Sequence, residues 1–355
     1  MAPTVTEQAQ LAPLTTLRVG GPARRLVEVA TETELLDVVR AADAAAEPLL
    51  VLAGGSNVVI ADSGFDGTVC VVRTRGMELG SDGDRARMTV AAGEPWDPVV
   101  QRAVAEGLAG LECLSGIPGS TGATPIQNVG AYGQEVASTI AAVRVFDRDR
   151  DEVVQLDAAQ CVFGYRTSAF KYRDRRIVLS VDFELDTADL SQPIRYAELA
   201  RTLGVEPGER VPLADAREAV LALRRGKGMV IDPEDPDSVS AGSFFTNPVL
   251  PEARFAELLD RVAERLGPDV EPPRYPDRDG HAKTSAGWLI ERAGFAKGYR
   301  RGNVAISSKH TLALVNRGGA SAADLVALAR EIVAGVHEAF GVELRPEPVF
   351  VGHCW

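Results

Sequence analysis

Residues 116–136 read GIPGSTGATPIQNVGAYGQEV. Glycines and prolines fall among small polar residues, and only Ile117, Ile126, Val129, Tyr132 and Val136 are larger apolar anchors. A run with so little side chain buries little apolar area, so its value lies in backbone N–H groups held on a fixed path. Long ordered loops inside a domain are uncommon and usually functional. A cradle for a bulky, phosphate-bearing ligand is the expectation, with an ordinary loop as the alternative.

A second glycine-rich turn lies upstream. Leu49–Ala53 is a short buried-strand pattern that breaks at Gly54, Gly55, Ser56 and Asn57 and resumes at Val58–Ile60. Such a turn offers consecutive N–H groups and a hydroxyl to an anion. One tight turn is a weak signal, but two separated cradles suit a long dinucleotide cofactor. No G-x-G-x-x-G opens a helix after a first strand, so the dinucleotide fold of dehydrogenases is unsupported.

Around these cradles the hydrophobic pattern predicts alternating strands and helices. Strands are expected at 23–30, 68–73, 88–92, 143–146, 153–156, 177–185 and 311–315, with a strand-like tail at 342–351 interrupted by Pro346 and Pro348. Helices are expected from a Thr31/Glu34 capping box to about residue 46, and over 94–108, 213–225, 255–266 and 285–293. A long helix should follow a cap at Ser321. The Asp-Pro turns of GKGMVIDPEDPDS, 226–238, mark a boundary or hinge, and 271–279 reads as a Pro-rich loop.

The bulk numbers exclude some classes of function. At 355 residues the chain is long enough for two or three domains. Its net charge of −12 argues against a nucleic-acid or anionic-membrane surface, so an anionic substrate must meet local cations. Cys70, Cys113, Cys161 and Cys354 are scattered without metal-like spacing, which fits reduced thiols and no metal site. There is no signal-peptide pattern and no apolar run of spanning length, so a cytoplasmic protein is expected.

Several side chains could carry chemistry. Ser243, in AGSFFTNP, lies far in sequence from His281, His310, His337 and His353 and lacks a nucleophile-elbow context, which disfavours a hydrolase. Its hydroxyl could instead donate a proton, or merely satisfy a turn. Arg166, between Tyr165 and Phe170, is either a surface ion-pair partner or a fixed, partly buried cation. Glu347 stands on a stiff extended segment between two prolines, with a solvated turn glutamate as the alternative. Arg224, Arg225 and Lys227 form a short basic run, with Lys227 between two glycines; solvated helix end and phosphate contact are both open.

Taken in order, TTLRVGGPA, AGGSN, GIPGSTGATPIQNVGAYG, FGYRTSAFK, AGSFFTNP, SAGWLIERAG and LRPEPVFVG resemble the UDP-N-acetylenolpyruvoylglucosamine reductases over nearly the whole chain. The resemblance implies an α+β fold: a two-subdomain FAD-binding portion of the oxidase (PCMH) type and a C-terminal α+β substrate-binding domain. The corresponding limits are 14–187 for the FAD portion (subdomains about 14–75 and 76–187), 188–230 for a substrate loop and connection, and 231–355 for the substrate domain. The last strand, about 342–355, would return to the FAD portion.

The same resemblance implies the site. Gly54, Gly55, Ser56, Asn57, Ile117, Pro118, Gly119, Ser120, Gly122, Ala123, Gln127, Asn128, Gly130, Ala131, Tyr132 and Gly133 match FAD contacts. Tyr165, Tyr196, Lys227 and Asn247 match substrate positions, Tyr196 being the tyrosine of the longer-loop branch. Arg166 and Glu347 match the charged pair beside the enolpyruvyl group, and Ser243 matches the residue that protonates the carbanion. NADPH would reduce FAD, which would pass hydride to the enolpyruvyl ether. The implied protein is a cytoplasmic monomer acting on a small molecule. The alternatives are an FAD oxidase of a sugar alcohol or lactone, and a non-catalytic UDP-sugar sensor.

Overall fold

The first helix shows how local chemistry sets the element ends. Thr31 Oγ1 accepts from the Glu34 amide, the Glu34 carboxylate accepts from the Thr31 amide, and α1 runs over Glu32–Ala44 with Leu35, Val39 and Ala42 buried. These coordinates are a computed structural model and describe residues 3–82, 85–277, 280–353 and 355. Cys354 and the last two positions of the Pro-rich 271–279 stretch lie outside the described residues.

The chain divides into two compact units. One comprises the residues up to Leu14, Gly21–Gly55 and Gly64–Val230; the other comprises Thr15–Gly20, Ser56–Ser63 and Ile231–Trp355.

The larger unit holds two large sheets and a small hairpin. In the four-stranded one the order is Thr4–Gln10, Pro22–Val29, Phe65–Val72, Leu49–Leu52, the first pair antiparallel and the others parallel. In the second, Glu152–Asp157, Ile140–Asp147, Arg176–Thr187, Arg85–Ala91 and Met77–Asp82 run antiparallel in that order. Ile177, Leu179, Val181, Phe183 and Leu185 of the long central strand are all buried. Helix α2, Trp96–Ala105, covers this core, with the Trp96 and Phe183 ring centroids 5.7 Å apart. Helices α3, Ala197–Leu203, and α4, Leu213–Gly226, build a smaller core of Ile194, Leu199, Val211, Ala216 and Val220 around Cys113. Tyr132 packs against that core.

The second unit is organised by α5, Glu252–Leu266, α6, Ala286–Arg292, and α7, Ala322–Phe340, over an antiparallel sheet of order Ser240–Ser243, Ala313–Asn316, Val304–Ile306, Arg300–Arg301. Leu325, Leu328, Ile332, Val336 and Phe340 of α7 are buried at helical spacing. Of the strand-like tail only Val349–Val351 is a strand, because Pro346 and Pro348 lack amide donors; it pairs in parallel with Val58–Ile60. The Pro-rich loop in turn contains a short strand, Tyr275–Pro276, paired with His281–Lys283.

Cys70, Cys113 and Cys161 are buried free thiols. Burial pushes Cys70 up to about 12 and Cys161 up to about 11, far from thiolate reactivity at neutral pH. No helix among the described residues is long and apolar enough to cross a membrane.

Candidate active site

In the larger unit the two glycine stretches meet backbone to backbone. A Cβ on Gly54 would stand 2.6 Å from Gly119 Cα and 2.9 Å from its carbonyl carbon, a separation that any side chain would forbid. Gly55 adopts φ +58° and Gly119 φ +125°, both in the region that favours glycine. The stretch is pinned to the segment before α2: the amides of Thr121 and Gly122 donate to Glu94 and Ala92 at 2.8 and 2.9 Å, and the Trp96 amide donates to Gly119 at 3.0 Å. Further on, Gly130–Ala131 and Gln134–Glu135 form a hairpin whose two turn residues, Tyr132 and Gly133, have φ of +49° and +84°. The cradles are thus built from close-packed backbone and left-handed turns, the kind of backbone that can present amide groups to phosphate.

The Asn128 side chain holds the stretch together. It is 1% exposed, donates to Glu135 at 2.8 Å and to the Gly164 carbonyl at 3.1 Å, and accepts from the Ala137 amide. Gly164 and Thr167 exchange backbone hydrogen bonds across a two-residue turn of Tyr165 and Arg166. Arg166 takes φ +53°, a strained conformation for a residue with a side chain. Its guanidinium donates to the Gly130 carbonyl at 2.7 Å and to that of Asn128 at 3.4 Å, lies 4.0 Å from Glu135, and sits over the Tyr165 ring at 5.4 Å. Lys171, 9% exposed, donates to the Arg166 carbonyl at 3.0 Å. The expected cation is therefore fixed against the hairpin of the long glycine stretch.

Two of the expected substrate residues, Tyr196 and Lys227, meet Tyr132 at that hairpin's tip. The Tyr132 and Tyr196 rings meet edge to face at 5.4 Å, and Lys227 lies over the Tyr132 ring at 5.5 Å while pairing with Glu198 of α3. Burial pushes the Tyr132 phenol up to about 12. Lys227 caps the C-terminal end of α4, one turn after Arg224. Arg224 is 7% exposed; it donates to the Met229 carbonyl at 2.7 Å, but its Nε is buried without a partner. Loss of water pulls this guanidinium down to about 10. It lies beside Gly116, 3.5 Å from where a Cβ there would stand. A buried cation with an orphaned donor at the edge of a glycine cradle fits an acceptor on a bound anionic ligand. The sequence offered Arg224 only as part of a basic run; its burial follows from the tertiary placement of α4.

The second unit contains Ser243, Glu347, Asn57 and Asn247. Ser243 ends the strand that pairs with Ala313–Asn316, next to Gly242 at φ +71°, and its hydroxyl has no hydrogen-bond partner among the described residues. Phe244 and Phe245, each 1% exposed, anchor it. The Glu347 amide donates to the Phe244 carbonyl at 2.8 Å, and Phe245 bridges Pro346, so the proline-flanked segment runs beside the residue after Ser243. Asn57 donates to the Glu347 carbonyl at 3.4 Å and accepts at its own carbonyl from Val349. The end of the first glycine turn is thereby tied to the Glu347 segment. Asn247 Oδ1 accepts from the Ala286 amide at the start of α6.

Comparison with known proteins bears on both units. Residues 234–351 match the family model described as UDP-N-acetylenolpyruvoylglucosamine reductase, C-terminal domain, and residues 23–157 match an FAD binding domain. The chain is 58% identical over 353 residues to the UDP-N-acetylenolpyruvoylglucosamine reductase of Thermobifida fusca, covering 99% of each chain. It is 60% identical over 346 residues to that of Streptomyces coelicolor, covering 97% of this chain and 89% of the relative. Among solved structures it resembles the UDP-N-acetylenolpyruvylglucosamine reductase of Thermus caldophilus, with a TM-score of 0.64, 27% identity and 98% of both chains covered.

Proposed function

The chain belongs to the UDP-N-acetylenolpyruvoylglucosamine reductases, and within that family we propose that Ser243, Arg166 and Glu347 carry its chemistry. It is an FAD- and NADPH-dependent oxidoreductase of peptidoglycan precursor synthesis, which reduces the enolpyruvyl ether of UDP-N-acetylglucosamine to UDP-N-acetylmuramate. Its fold is the α+β, PCMH-type FAD-binding portion with the family's C-terminal domain. When bound, FAD supplies the two-electron chemistry between NADPH and the enolpyruvyl double bond.

The chain's own residues have three tasks. The glycine stretches at 54–57 and 116–133 hold the cofactor through backbone amides, with the unpartnered Arg224 Nε as a further donor. Arg166, already fixed by the Asn128 and Gly130 carbonyls, supplies the positive charge that a carboxylate-stabilised carbanion requires. Ser243 gives its proton to that carbon. An alcohol is a weak acid at neutral pH, so it yields only to a strong base such as this one. Glu347 orients the substrate or a water from the segment beside Phe244. Tyr165, Tyr196, Lys227 and Asn247 bind the nucleotide sugar. The functional limits proposed are 14–187 for cofactor, 188–230 for the substrate loop and 231–355 for the substrate domain. The proposed setting is a cytoplasmic monomer without nucleic-acid or membrane partners; the net charge of −12 supports the absence of nucleic-acid and anionic-membrane partners.

The observation that carries the Ser243 assignment is its open hydroxyl next to the Glu347 segment. Ser243→Ala should leave bleaching of the flavin by NADPH intact, while reoxidation by the enolpyruvyl substrate slows about a hundredfold or more. Stopped-flow absorbance separates the two half-reactions. Unchanged reoxidation would remove Ser243 from the mechanism, and rapid reoxidation by oxygen alone would favour an oxidase.

A further inference from the structure

Glu112 is 0% exposed, although most buried carboxylates sit opposite a cation. No cation pairs with it among the described residues. Three neutral donors face it instead, from three separate parts of the chain. Its Oε2 accepts from the Gly110 amide at 2.7 Å, and its Oε1 accepts from Gln134 Nε2 at 2.8 Å and from the Gln192 amide at 2.7 Å. Gln134 completes the connection by accepting from the Cys113 amide at 2.8 Å. Gln134 lies in the hairpin that carries Tyr132 and Gly133, and Gln192 lies in the segment that leads to Tyr196. The two segments touch at their far ends as well. A Cβ on Gly133 would stand 3.6 Å from Arg195 Cβ and 3.7 Å from the Tyr196 amide, and the two tyrosine rings meet at 5.4 Å.

We propose that Glu112 is a positioning residue that fixes the Tyr196 segment against the Tyr132 hairpin and thereby sets the affinity for the nucleotide sugar. The inference rests on the assignment of Tyr196 to the substrate. The chemistry demands an acceptor with no donor of its own, because every neighbour presents N–H. A glutamine of the same shape must turn its amide N–H either toward the Gly110 amide or toward the pair from Gln134 and Gln192, leaving donors opposed at a position closed to bulk solvent. Either Gln134 and Gln192 then lose their shared acceptor or the loop of Gly110 and residue 112 that holds it must shift, while Ser243 and the Gly54–Gly119 backbone contact keep their own neighbours.

The test compares Glu112→Gln, Tyr196→Ala and the double variant as FAD-loaded proteins. Binding of the enolpyruvyl UDP-sugar to the oxidised enzyme is measured by calorimetry, and KM and kcat by NADPH consumption. Glu112→Gln should weaken binding and raise KM about tenfold, with kcat within about twofold and flavin bleaching by NADPH unchanged. Because Glu112 acts through Tyr196, the double variant should bind little more weakly than Tyr196→Ala alone. Fully additive losses, or wild-type affinity in folded Glu112→Gln, would overturn the proposal. Wild-type affinity in Tyr196→Ala would instead overturn the assignment of Tyr196, and the proposal with it. If Glu112→Gln does not fold, Gln134→Met removes only the hairpin side of the connection. It should raise the dissociation constant in the same sense, and unaltered binding there overturns the proposal.

Discussion

At the scale of single residues, a methyl group is enough to probe the cofactor cradle. Gly54→Ala would drive a Cβ to within 2.6 Å of Gly119 Cα, so one of the two glycine stretches must shift. FAD affinity should fall about tenfold or more, because close backbone approach is what aligns the amide donors. Fluorescence titration of the apoprotein with FAD measures it, and full FAD occupancy at wild-type affinity would refute the role of Gly54. Arg166 is tested differently, since its fork donates to two carbonyls at once. Arg166→Lys keeps the charge but offers a point donor on a flexible stem, so the substrate half-reaction should slow about ten- to a hundredfold while flavin reduction is spared. An equal loss in both half-reactions would mean that Arg166 serves the cofactor cradle and not the substrate.

At the scale of elements, helix ends carry much of the specification. Ser321 Oγ accepts from the Asp324 amide and the Asp324 carboxylate accepts from the Ser321 amide, while Asp62 accepts from the amides of Ala322 and Ala323. The amides of Ser321, Ala322, Ala323 and Asp324 at the start of α7 are thus all satisfied by side chains. Ser321→Ala should cost about 1 kcal/mol, read from urea unfolding, and a loss within experimental error of zero would show that Asp62 alone caps the helix. These ends were legible because a capping box has a fixed spacing before an apolar stripe, as at Thr31 and Glu34. Elements without an apolar pattern were not legible. Thr4–Gln10 forms a strand although nearly all its residues are exposed, because its partner Pro22–Val29 supplies the register. The seven-residue α3 has too short a stripe to announce itself, and is held by contact with α4. The site shows the same division. Glycine runs and the odd residues within them mark a cradle in sequence. The occupation of Asn128 by Glu135 and Gly164, and of Glu112 by Gln134 and Gln192, depends on which segments the fold brings together.

At the scale of the whole molecule, the pairing of Val58–Ile60 with Val349–Val351 joins segments far apart in the chain, and the hydrophobic pattern of neither segment specifies its partner. Long-range ties of another kind govern the response to acid. In one unit, Asp97 loses water on burial, but the bidentate bonds from Arg217 at 2.8 Å and the Gly116 amide at 2.6 Å hold its carboxyl below the ordinary range. Asp43, bonded to Arg148, is lowered likewise. In the other unit, Asp237 is desolvated, yet the hydroxyl and amide of Ser308 and the guanidinium of Arg317 lower it too. A carboxyl that is more acidic folded than unfolded stabilises the fold fully above its unfolded value, 3.8 for these aspartates, and that stability is lost as pH falls through the folded value. The melting temperature should therefore stay level from pH 7 to about 5 and decline below about 4. Asp97→Asn and Asp237→Asn should each melt lower at pH 7 but lose less on acidification, since the linked proton is gone. Thermal unfolding followed by circular dichroism across pH 3 to 7 measures both effects. A wild-type melting temperature that does not fall between pH 5 and 3 would show that these carboxylates contribute no net ionic stabilisation, and the two asparagine variants then locate which unit departs from the expectation.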